Sequence, residues 1–245
     1  MKKPLKIVSS IVFTSTLLIG GSLIASADGG EYDTTGTISF TPYTGITDPI
    51  DPDNPDEKVE PKNPDGTDPT PGTTGPLSID FASSFDFGEQ AITSEDQTYF
   101  ATPQTILIDG IEEERANYVQ VSDNRGLETG WTLQVRQEEQ FKTEEAEELT
   151  GAAILISNVN VQTSSASSLP STVSSEIDLT AGVLSDVMSA EAGEGAGTYV
   201  ARFGDAGDEN ISTSVSLTVP GSTTKYAKEY STNLTWVLTD APGNS

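Results

Sequence analysis

The chain has 245 residues, with 38 acidic side chains against 12 basic ones, a net charge of −26, no cysteine and no histidine. Nucleic acid is excluded as an expected partner, because phosphate contacts need lysine and arginine. The lack of histidine and cysteine removes Ser-His-Asp and Cys-His catalysis, the common zinc sites and any disulfide framework.

Lys2, Lys3 and Lys6 open the chain, an apolar stretch runs from Ile7 to Ile24, and Ala25-Ser26-Ala27 closes it. That order is the pattern of a secretory signal peptide over residues 1–27. Ser9, Ser10, Thr14, Ser15 and Thr16 make the stretch a poor membrane span. No cysteine stands at the cleavage point, so no lipid attachment is expected there. The exported chain, starting at Asp28, would fold on its core alone.

Residues 28–41 hold one strand candidate, Thr34 to Phe40, in which Thr35, Thr37 and Ser39 alternate with Gly36, Ile38 and Phe40. It either pairs back onto the main domain or remains a free end, and pairing is the expectation. From Pro42 to Pro76 the chain carries nine of its fourteen prolines, with aspartates between them. Pro49, Pro52, Pro55, Pro61 and Pro64 keep a register of three, the period of polyproline II. Mutual repulsion of the acids extends such a segment further. Residues 42–76 are therefore expected to be an extended, disordered linker.

From Leu77 to Ser245 short strands follow one another. Leu77–Phe81, Gly130–Val135, Ser214–Val219 and Asn233–Leu238 alternate, Ala152–Ile156 is an apolar run, and Gly, Pro, Asn and Asp punctuate the gaps. The expected fold is all-β, an antiparallel sandwich or barrel-like domain over 77–245. Thr143–Leu149 reads as a short helix, from its glutamates, its alanine and a capping threonine. Gly204–Asn210 gathers three acids and an amide without the spacing of an EF-hand loop, and reads as a solvated acidic loop or a weak Ca²⁺ site. No cofactor or metal is expected, and no phosphate-binding glycine loop or nucleophile elbow occurs. The expected protein is not an enzyme.

Two segments carry an identification. Tyr118–Gly126 is followed by Gly130-Trp131-Thr132-Leu133, and Val219-Pro220-Gly221 leads through Tyr230 to Leu234-Thr235-Trp236-Val237-Leu238-Thr239-Asp240-Ala241-Pro242. Each holds one of the two tryptophans, as Trp-x-Leu. With Gly75–Ile79, Phe85–Gly88 and Leu149–Ala152, this resembles the WxL domain of cell-wall-associated proteins in low-GC Gram-positive bacteria. The resemblance implies non-covalent attachment to the cell surface, with peptidoglycan as the wall ligand or a membrane-anchored companion protein as the receptor. A surface adhesin for host or environmental ligands is the third alternative, weakened by the short N-terminal part. No LPxTG motif is present, so attachment by sortase is not expected.

Residues two apart on a strand share a face. Trp131, Leu133 and Val135 therefore point one way, as do Leu234, Trp236 and Leu238. Two readings stay open for the binding candidates Trp131, Leu133, Trp236 and Leu238: sandwich core, or a ring exposed to stack on a sugar. Arg125, in the turn-forming run Asp123–Gly126, either pairs with a local carboxylate or recognises a ligand carboxylate or sugar through its forked donors.

Overall fold

The structure, a computed structural model, describes residues 29–205 and 209–240. The stretch read as a signal peptide, residues 1–27, and residues 206–208 of the acidic loop lie outside them. The chain divides into two units, Met1–Ser39 and Phe40–Ser245. The described residues of the first form no strand. Thr34–Phe40, expected as a strand, forms none, and Ile38 and Phe40 are exposed.

The second unit is all-β. In chain order its strands are β1 (Glu60–Pro61), β2 (Leu77–Ala82), β3 (Gln97–Phe100), β4 (Gln104–Ile108), β5 (Ile111–Arg115), β6 (Asn117–Asp123), β7 (Trp131–Gln137) and β8 (Ala153–Ser157). There follow β9 (Val159–Gln162), β10 (Thr172–Val173), β11 (Glu176–Leu179), β12 (Leu184–Ala190), β13 (Gly197–Phe203), β14 (Val215–Val219) and β15 (Leu234–Thr239). The sheets are ordered β2-β6-β13-β9, β10-β12-β7-β15, β11-β8-β14-β3 and the smaller β1-β4-β5. Every strand ladder is antiparallel. The three larger sheets turn their inner faces onto one core, which includes Val119, Val121, Trp131, Leu133, Val135, Ile154, Ile156, Tyr199, Phe203 and Leu217.

Strand β6 is buried along its whole length. Val119 and Val121 enter the main core. Tyr118, Gln120 and Ser122, on the other face, are covered too. Over Tyr118 and Gln120 the cover includes the Pro/Asp-rich segment, and here the expectation of a disordered linker fails. Val59 of that segment joins Phe81, Ile106, Tyr118 and Val200 in a second small core. The Gln120 carboxamide bridges to it, accepting from the Ile50 N–H at 2.8 Å and donating to the Asp48 carbonyl at 3.1 Å. Asp51, 1% exposed, receives two hydrogen bonds from Arg115, at 2.9 and 2.8 Å. Asp53 receives one from Arg202, at 2.5 Å. Two acids counted as mutually repulsive are instead neutralised by arginines far along the chain.

The helix expected over Thr143–Leu149 is also absent. Lys142 and Glu148 form an antiparallel bridge, and the Thr143 N–H donates to the Glu147 carbonyl at 3.1 Å. Phe141 and Leu149, at its two ends, both enter the core. A tight loop brings those side chains together, and their burial overrides the helix propensity of the glutamates between them.

Candidate functional site

The two Trp-x-Leu tripeptides occupy different places in one sheet. Strand β7 lies inside it, between β12 and β15. Trp131, Leu133 and Val135 are fully buried. The Trp131 ring lies 6.0 Å from that of Tyr199, and its indole N–H donates to the Gly195 carbonyl at 2.9 Å. Gly195 has φ +77°, and a Cβ there would come within 2.5 Å of the indole nitrogen. Trp131 and Leu133 are therefore core.

Strand β15 ends the sheet. Trp236 stands opposite Val135 and Leu238 opposite Leu133, so both side chains turn inward. With only one hydrogen-bonded strand beside them, they stay half-buried. Leu238 packs on the main core. The indole of Trp236 lies nearly parallel to the Phe203 ring, at 10° and 6.2 Å between centroids. It also borders an open groove of about 610 Å³.

Strand β2 supplies one side of that groove through Ile79, Phe81 and Ala82, and the Pro/Asp-rich segment supplies another through Asn63–Asp65 and Pro69–Thr73. The second wall is fixed by contacts no longer than ordinary hydrogen bonds. The Thr73 N–H donates to the Ile79 carbonyl at 2.8 Å, and the Ile79 N–H donates to Thr73 Oγ1 at 2.9 Å. Gly72 lies so close to β2 that a Cβ would meet the Asp80 carbonyl oxygen at 2.5 Å. Prolines set backbone angles in advance, so this wall loses little entropy on ordering.

Asp80 also lines the groove, with its carboxylate buried. Ser78 Oγ donates to it at 2.7 Å, Ser122 Oγ at 2.6 Å and Gln120 Nε2 at 3.0 Å. Burial raises its pKa above the ordinary carboxylate value, and the three donors oppose that rise without cancelling it.

Arg125 takes no part in the groove. Its guanidinium donates to both carboxylate oxygens of Asp123, at 2.9 and 2.8 Å, and to the Gly130 carbonyl at 2.8 Å. These bonds clamp the turn between β6 and β7 and hold the arginine proton more firmly. Among the five candidates read from the sequence, only Trp236 lines the groove.

The other cations are engaged as well among the described residues. Lys58, Lys62, Arg115, Arg136, Lys142, Arg202 and Lys228 pair with carboxylates. The Lys225 ammonium donates to the carbonyls of Thr93, Pro220 and Thr223. The groove's polar groups are carboxylates, amides and hydroxyls, beside an indole and prolines. Such a lining suits a ligand with apolar C–H faces and hydroxyls, and gives no cationic cradle to a phosphate polymer. Sequence reasoning missed Pro69–Thr73 and Phe203, because no local pattern tells which distant strands a proline-rich stretch will lie against.

A family model described as "WxL domain surface cell wall-binding" matches residues 27–242. No curated protein and no solved structure matches the chain.

Proposed function

The chain belongs to the WxL domain family of surface cell-wall-binding proteins, and from that premise we propose that it is exported and held to peptidoglycan, without a covalent bond, through the Trp236 groove. The observation that carries this reading is the contrast between the tryptophans: Trp131 is sealed in the core, while Trp236 is half-buried beside an open groove. A sugar ring presents C–H groups on its faces and hydroxyls at its rim. The indole takes the first, and Asn63, Asp65 and Thr70, which line the groove, take the second. The protein acts by binding, not by catalysis.

Sedimentation with purified, protein-free peptidoglycan tests the proposal. The parent chain should pellet with the wall, and Trp236→Ala should stay in the supernatant while retaining a cooperative melt. Equal pelleting of parent and variant would remove Trp236 from the role. Failure of the parent to pellet, with retention on intact cells, would assign the hold to a membrane-anchored companion protein.

A further inference from the structure

The segment Thr34–Phe40 has the pattern of a strand and no strand beside it. Tyr32, Ile38 and Phe40 are 91, 80 and 87% exposed. On an extended backbone Ile38 and Phe40 fall on one face. From Thr34 to Thr47 there is no charged side chain, in a chain with 38 acids. The stretch itself adds no charge to the repulsion between two copies.

Eight strands end a sheet, and most are unsuited to receive it. β5 carries Glu112, Glu113 and Glu114, and β11 carries Glu176 and Asp178. β1 and β10 have two residues each. The edge of β2 is taken by Thr73. β15 runs close beside β2, and the Val159 N–H of β9 is engaged by the Ser175 carbonyl. β3 remains. It is uncharged along its length and bonded on one side to β14. Phe100 at its end is 46% exposed.

We propose that Thr34–Phe40 of one copy adds as a strand to the open edge of β3 in a second copy. The backbone of the segment then completes its hydrogen bonds, and its apolar side chains gain the exposed Phe100 as a neighbour. Donor and acceptor are different surfaces, so the contact is head-to-tail and repeats from copy to copy. This rests on the N-terminal segment and β3, not on the wall-binding groove.

Sedimentation velocity on the chain from Asp28 onward tests it, at rising protein concentration and in enough salt to screen the acidic surface. Species longer than a dimer should grow with concentration. Ile38→Asp with Phe40→Asp should leave monomers, and so should Phe100→Lys, each with the parent's melting temperature. A mixture of the donor-disabled and acceptor-disabled chains should stop at a one-to-one dimer, since each retains what the other lacks. The donor-disabled chain should still pellet with peptidoglycan. Monomers at every concentration, or oligomers that persist in the Ile38→Asp, Phe40→Asp chain, would overturn the proposal.

Discussion

Trp131 and Trp236 share a tripeptide pattern and differ in what surrounds the ring. Losing a wholly enclosed tryptophan leaves a cavity as well as an unfilled hydrogen bond at Gly195, so Trp131→Ala should cost about 3–5 kcal/mol in chemical denaturation. Trp236→Ala should cost clearly less, because the edge position lets water and neighbours fill the space. Asp80 gives a second measurable signature. Its pKa is raised in the fold, so the folded chain binds more protons than the unfolded chain between 3.8 and the raised value. Its contribution to stability therefore falls as pH rises through that window and stays level above it. The melting temperature of Asp80→Asn, taken relative to the parent, should climb with pH across the same window; two parallel curves would refute the assignment. Period-two alternation placed Trp131, Leu133 and Val135 on one face correctly. It could not say which tryptophan would be enclosed. That depends on β12, whose residues 184–190 pair with β7 from some fifty positions away.

Elements were legible where they are held by their own alternation. Leu77–Phe81, Gly130–Val135, Ala152–Ile156, Ser214–Val219 and Asn233–Leu238 all correspond to strands, within a residue or two. The expectations that failed are those in which composition stood in for contacts. Thr143–Leu149 has helix-forming residues, but Phe141 and Leu149 must meet in the core. Residues 42–76 have the composition of a spacer, but Arg115 and Arg202 wait for Asp51 and Asp53. Removing one partner of a largely buried pair leaves the other charge uncompensated. Arg115→Ala should therefore destabilise the fold by about 3 kcal/mol. Limited proteolysis should then cut first within 42–76, whereas the parent should resist there. Equal cleavage patterns would mean that the segment is held by its apolar contacts alone.

For the molecule as a whole, charge opposes the wall contact proposed for the groove. Every described cation is engaged, and acids dominate the remainder of the surface. A polyanionic wall repels such a surface over about 8 Å in physiological salt. Carboxylates titrate near pH 4. At low salt, retention on intact walls should be greater at about pH 4.5 than at about pH 7.5. Added salt should recover much of the difference at the higher pH. Retention independent of both would show that long-range repulsion does not limit attachment.

The groove draws one flank from residues 63–65 and 69–73, and an indole from residue 236 borders it. If the chain is exported as proposed, the first emerges well before the second. On that reading a half-translocated polypeptide lacks the complete groove. Binding through the proposed groove would then wait until both flanks have crossed and folded together.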